Sequence, residues 1–308
     1  MFTRFILTAA TSALIAGSAA ADYTLTILHT NDIHSRVKSI NKYDSTCNAD
    51  DEAEGKCFGG MARLKTIIDA ERAAMADQNV ILLDAGDPFQ GSLFYTTYKG
   101  AAEAEFMEAI GYDVMAVGNH EFDDGPKGLA DFVDAVSFPV VSGNLDLSAE
   151  ELLKDRVKDH VVLEVGGQKI GIVSALAVDT VDTSSPGENV VFIDEIKALK
   201  ADVAAIRDMG VDKIIALTHV GLKKDMEIAA EVPGIDVVIG GHSHTKMLND
   251  GEAVSYPQMV DGTPVAQAYA YSKYLGKLTV TFDDMGNVTA ASGDPILLDA
   301  SITPDAAI

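Results

Sequence analysis

VMAVGNHEFD, residues 114–123, passes directly from an apolar run to a cluster of polar side chains with catalytic chemistry. Val114–Val117 has the length and composition of a strand. Gly118 ends it, and Asn119, His120, Glu121 and Asp123 follow at once. Open α/β sheets place their sites beyond the carboxyl ends of their strands, so this order of residues predicts that kind of sheet. Asn119 offers an amide oxygen to a cation. His120 points differently and is suited to meet a substrate. Asp123 is near enough to orient that imidazole and to stabilise its charge.

The same arrangement recurs outward from this stretch. Apolar runs at Leu25–His29, Val80–Leu83, Val140–Val141, Ile170–Val173, Ile214–Thr218, Val237–Ile239 and Val265–Ala268 read as strands. Helical patterns with polar faces separate several of them: Gly60–Met75, Ala101–Ile110, Leu129–Ala135, Ile193–Met209 and Lys224–Ala230. Alternating strands and helices predict an α/β fold with helices on the outer faces of its sheets. Val161–Val165 and Lys169–Val173 read as a hairpin around Gly166-Gly167, and Gly276–Phe282 as a closing strand before Met285-Gly286. Strands that are not all parallel predict two packed mixed sheets. Asp294–Ile308, with Pro295 and Pro304, reads as an exposed tail.

Four more polar motifs fall just after predicted strands. Asp32 and His34 follow the first, and their carboxylate and imidazole suit zinc, manganese or iron. Asp87 closes Asp84-Ala85-Gly86-Asp87; it is a turn residue on the bland reading, or a carboxylate placed to bridge two metals. His219 ends the run at 214–218. His242 and His244 follow Gly240-Gly241 and complete the set. The chain has 7 histidines; His29 reads as a core residue or a support for the site, and His160 as an exposed residue in a charged stretch.

The composition narrows the function further. Hydrophobic residues make up 47% of 308, enough for a sizeable core. A net charge of -24 argues against a nucleic-acid polymer as partner, because phosphate contacts need clustered Lys and Arg. It equally means that a phosphate substrate needs strong local positive charge, which bound metal supplies. Arg4, the apolar stretch from Phe5 to Ile15 and Ala19-Ala20-Ala21 read as a signal peptide over 1–21, which predicts an exported protein, periplasmic or secreted. No later run is long enough to span a membrane. In an oxidising compartment Cys47 and Cys57 most simply pair as a disulfide; the other reading, a metal pair, is weakened by a spacing that suits no common zinc module.

The ordered set Asp-x-His, Gly-Asp, Gly-Asn-His-Glu, Thr-His and Gly-His-x-His resembles the calcineurin-like metallophosphatases, and specifically the catalytic domain of the 5′-nucleotidase/UDP-sugar hydrolase family. Gly59-Gly60-Met61-Ala62-Arg63 and Gln90-Gly91 are further local matches, and the likeness covers 22–300. The resemblance implies a metallophosphatase-like sandwich over 22–308 and two divalent metal ions, zinc, manganese or similar. One would be held by Asp32, His34, Asp87 and His244, the other by Asp87, Asn119, His219 and His242, with Asp87 shared. It implies His120 and Asp123 as the catalytic dyad. It also implies a second, C-terminal domain that supplies aromatic and arginine contacts to the base; 22–308 is expected to lack it, and Tyr95, Tyr98, Tyr269, Tyr271 and Tyr274 read as packing or surface residues. The implied reaction is hydrolysis of nucleotide phosphate esters. Close rivals are hydrolysis of 2′,3′-cyclic nucleotides or UDP-sugars, more distantly of a sulfur compound. The non-enzyme reading is a truncated metal-binding remnant or interaction module.

Overall fold

The computed structural model describes residues 22–308; the signal peptide expected over 1–21 lies outside them. The first sheet begins with β1 (Tyr23–Thr30), β2 (Asn79–Asp84), β3 (Val114–Ala116) and β4 (Val140–Val141), paired in parallel succession. Next come β5 (Leu145–Asp146), the hairpin strands β6 (His160–Val165) and β7 (Gln168–Leu176), and β8 (Val191–Phe192), which pairs with β5. Strands β9 (Lys213–His219), β10 (Val237–Ile239), β11 (Gln258–Val260) and β12 (Thr263–Ala266) complete a second sheet, in the order β11-β12-β10-β9-β7-β6. The chain then returns to the first sheet. There β13 (Tyr274–Phe282) lies antiparallel to β1, and β14 (Val288–Gly293) and β15 (Ile296–Leu297) pair with β13.

Both sheets are mixed, as expected, and the burial of successive residues explains why their strands read as unbroken apolar runs. Leu25 and Ile27 of β1 and Ile81 and Leu83 of β2 meet Ile215 and Val237 in a core between the sheets. Leu28 and Leu82 face the opposite way, onto the helices Met61–Ala74 and Ala101–Ile110 through Leu64, Ile68 and Met107. On the far side Ile214 and Val238 pack against Leu199, Val203 and Ile228 of the helices Glu195–Asp208 and Leu222–Glu231. Each fully buried Leu or Ile in these layers contributes about 2 kcal/mol. The order is helix, sheet, sheet, helix.

Some expectations are corrected, while those for His29 and the cysteine pair are met. The helix expected from Leu129 starts at Gly125, because Pro126 sits in its first turn, where a missing N–H costs nothing. A short helix at Leu93–Tyr98, capped by Ser92, has too little polar periodicity to be read from sequence. Asp294–Ile308 is not an exposed tail. Leu298 is fully buried, its N–H donates to the Lys273 carbonyl, and its own carbonyl accepts from Gly59. Ile302 and Ile308 pack against the first helical layer, so apolar side chains tie this segment down in spite of its prolines. His160 is half-buried, with Nδ1 3.4 Å from Asp202. His29 is a core residue whose Nε2 lies 2.7 Å from the Tyr256 hydroxyl. Cys47 and Cys57 are joined as a disulfide, so neither supplies a thiolate for a metal.

Candidate metal centre

The carboxyl ends of β1, β2, β3, β9 and β10 open on one side of the molecule, and the turns that follow them converge there. Asp32 and His34 follow β1, Asp87 follows β2, Asn119 and His120 follow β3, His219 ends β9, and His242 and His244 follow β10. Hydrogen bonds between main chains lock neighbouring turns together: Asp32 N–H donates to Gly86, and His34 N–H to Asp87, both at 2.9 Å. Gly118 permits the closest approach, because a Cβ there would collide with the Asp87 carboxylate. Gly241 is similarly confined; a Cβ would stand 2.8 Å from the Ala85 carbonyl and 3.1 Å from Asp32 Oδ2.

Asp32 (φ 52°), His34 (50°), Asp87 (59°), His242 (73°) and His244 (47°) all adopt the left-handed region that favours glycine. Such conformations cost about 1–3 kcal/mol each and persist where the surroundings over-determine them. Their concentration in one group of loops shows that side-chain direction here takes precedence over backbone ease.

The side chains meet at ligand distances. His34 Nε2 and His244 Nε2 are 2.9 Å apart, and His244 Nε2 is 3.2 Å from Asp32 Oδ1. His219 Nε2 is 3.1 Å from Asp87 Oδ2 and 3.9 Å from Asp32 Oδ1. Asn119 Oδ1 and His242 Nδ1 are 2.9 Å apart. Ligand atoms of Asp32, His34 and His244 fall within 4.8 Å of one another, and so do those of Asp32, Asp87 and His219. Asp32 therefore touches both clusters, whereas the sequence resemblance places it in one.

The imidazoles are oriented from behind. His219 Nδ1 lies 2.7 Å from the Ala85 carbonyl and His34 Nδ1 3.2 Å from the Phe89 carbonyl. A carbonyl can only accept, so both Nδ1 atoms carry a proton and both Nε2 atoms are turned toward the cluster. His219 Nε2 is close to Asp87 but off the direction of a hydrogen bond, which leaves this buried nitrogen without a hydrogen-bond partner. An orphaned buried nitrogen, two imidazole nitrogens aimed at one point and two buried carboxylates form a donor set that fits borderline divalent cations. Charge tells the same story. Burial opposes ionisation of Asp87, yet the neighbouring His219, His34 and His120 hold it well below the ordinary carboxylate range. Burial also opposes protonation of His219, but Asp87 and Asp32 push it up to about 10. The cluster attracts positive charge, whether a proton or a metal.

His120 sits at the edge of this group, with its ring edge-on to His34 at 5.2 Å between centroids. Its Nδ1 is 2.8 Å from Asp123 Oδ2, and Ser184 Oγ donates to the other Asp123 oxygen at 2.8 Å. Burial works against the imidazolium, but the Asp123 hydrogen bond and the Asp87 charge raise its pKa to about 9.

Other residues at the site carried no such signal in the sequence. Arg36 and Tyr271 line a cleft of about 260 Å³ together with His34, Asp87, Asn119 and His120. The Arg36 guanidinium lies 5.2 Å from the centre of the Tyr271 ring, which in turn packs on His34 and His244. Tyr271 thus does more than fill a surface. Asp225 receives Thr218 Oγ1 at 2.6 Å and Gln267 Nε2 at 3.0 Å, and supports β9 and β10 from beneath.

A calcineurin-like phosphoesterase family model matches residues 25–246. The chain belongs to the calcineurin-like phosphoesterase family. Among curated relatives, a 5′-nucleotidase of Diplobatis ommata is 46% identical over 300 residues, which is 93% of this chain and 50% of that protein. A 5′-nucleotidase of Homo sapiens is 44% identical over 307 residues, 94% of this chain and 52% of the relative. Among solved structures, a 5′-nucleotidase precursor from Thermus thermophilus superposes with a TM-score of 0.83 at 36% identity, covering 92% of this chain and 56% of the other. The NAD nucleotidase of Haemophilus influenzae gives 0.79 at 30% identity, with 91% and 51% covered. This calcineurin-like phosphoesterase chain spans about half the length of the curated relatives it matches.

Proposed function

We propose that this chain is the hydrolytic part of an exported, dinuclear-metal phosphoesterase that cleaves nucleotide phosphate esters, as a 5′-nucleotidase does. The observation that carries the reading is the convergence of the His34, His219 and His244 Nε2 atoms on the Asp32 and Asp87 carboxylates, with His120 held at the rim by Asp123. Asp32, His34, Asp87 and His244 would hold one cation, and Asp87, Asn119, His219 and His242 the other. Divalent cations in such a set supply positive charge to a phosphoryl oxygen and acidify water. His120 donates to the phosphoryl oxygens as negative charge develops on them, and Asp123 keeps that imidazole charged and aligned. Arg36 places a further cation at the cleft, which counts in a chain of net charge -24. Export is supported by the leader-like residues before Asp22 and by the Cys47–Cys57 disulfide.

A second reading, hydrolysis of a phosphoanhydride, is favoured by the similarity to an NAD nucleotidase and by a cleft of about 640 Å³ that continues past Arg36 toward Lys38 and Ser92. Turnover of AMP, NAD and p-nitrophenyl phosphate, measured with Mn, Co or Zn, separates the two. Metal-dependent release of phosphate from AMP, abolished by EDTA and in Asp87→Asn, is the expected result. Absence of metal-dependent turnover on every phosphoester would sink the enzyme reading.

A further inference from the structure

We propose that Glu121 is the positioning residue that clamps the Asp87 turn to the Asn119 turn, and so sets Asp87 where two metal half-sites can share it. The inference rests on the dinuclear reading above and extends it to a residue that touches neither substrate nor metal.

Glu121 is fully buried. Its carboxylate accepts three main-chain N–H groups: Gly118 at 2.6 Å and Asp87 at 3.0 Å on Oε2, and Phe89 at 3.2 Å on Oε1. Gly118 belongs to the turn after β3, whereas Asp87 and Phe89 belong to the turn after β2. A residue that merely capped its own 3-10 turn, His120–Phe122, would not reach across to the neighbouring strand's loop. Among the described residues no Lys, Arg or His side chain stands within 4.0 Å of this carboxylate, and its hydrogen-bond partners are these three main-chain N–H groups. The clamp acts at the point of greatest constraint. Asp87 has φ 59°, its Oδ1 accepts the His120 N–H at 2.9 Å, and its carboxylate fills the space a Gly118 side chain would need. The bridging carboxylate is thus held by its side chain from one turn and by its main chain from Glu121.

Glu121→Gln keeps the shape but turns a donor toward donors. Titration of the metal-free full chain with Mn²⁺ by calorimetry, alongside thermal unfolding in EDTA, tests the role. The wild type is expected to bind two equivalents. Glu121→Gln is expected to lose about tenfold or more in affinity on at least one step, a range usual for residues behind metal ligands. Its kcat should fall while KM stays within twofold, and Glu121→Asp, which keeps two acceptor oxygens on a shorter stem, should recover part but not all of the lost affinity. Both steps unchanged within twofold in a folded Glu121→Gln would overturn the proposal. If that variant does not fold in EDTA, wild-type affinity in Glu121→Asp, which is too short to span both turns, overturns it equally. A wild type that binds no Mn²⁺ removes the dinuclear reading itself, an outcome distinct from an indifferent Glu121.

Discussion

His120 shows how a single side chain can be assigned a role by what stands behind it. Its Nδ1 is occupied by Asp123, so only Nε2 faces the cleft, beside His34 and Asp87. The same geometry would let it bind a metal, and one substitution separates the roles. His120→Ala should lower turnover about a hundredfold, equivalent to about 3 kcal/mol of lost transition-state stabilisation, with metal content unchanged. Loss of a metal equivalent in that variant would make His120 a ligand instead. The residues that would hold metal are legible in the sequence because each sits at the end of an apolar strand or in the turn after it, where local pattern and chemistry coincide. Asp225, Gln267 and Tyr271 are not legible, since a helix, a strand end and a loop distant from the motifs in sequence bring them there, and Arg36, two residues past His34, has no pattern of its own to mark it. Glu121 stands in the opening motif, but its bonds to Asp87 and Phe89 cross between strands and leave no mark on spacing.

At the level of elements, the strands are the readable part and the closing segment is not. Runs such as Ile214–Thr218 announce themselves because both faces of β9 are buried, whereas Ile296, Leu298, Ile302 and Ile308 are spaced among prolines and polar residues with no period. Strand β1 carries a device of a different kind. His29 lies at its end, against Tyr256 and over Gly276, where a side chain would strike the imidazole. Burial lowers its pKa from 6.5 to about 3. Between those values the unfolded chain holds a proton that the folded chain refuses, so stability falls as pH falls through this window. At pH 5 the contribution is about 2 kcal/mol. Denaturant unfolding in EDTA at pH 7 and pH 5 should therefore show a smaller acid loss for His29→Gln than for the wild type, by about that amount. An identical acid loss in both proteins would mean that His29 takes up a proton without unfolding.

Across the whole molecule, the two sheets serve to bring five strand ends to one point, three from the first sheet and two from the second. β1, β2 and β3 deliver Asp32, His34, Asp87, Asn119 and His120, while β9 and β10 deliver His219, His242 and His244. Neither sheet holds a complete donor set, so the packing of Leu25, Ile27, Ile81 and Leu83 against Ile215 and Val237 positions the centre as directly as any hydrogen bond. Cations held at that junction would reverse the local field, which would make a net charge of -24 compatible with a phosphorylated substrate. The most direct measurement is an anomalous-scattering map from crystals of the full chain grown with Mn²⁺. Two peaks are expected, one bounded by Asp32, His34 and His244 and the other by Asn119, His219 and His242, both within reach of Asp87. A single peak, or peaks that do not contact Asp87, would contradict a dinuclear centre built on that carboxylate.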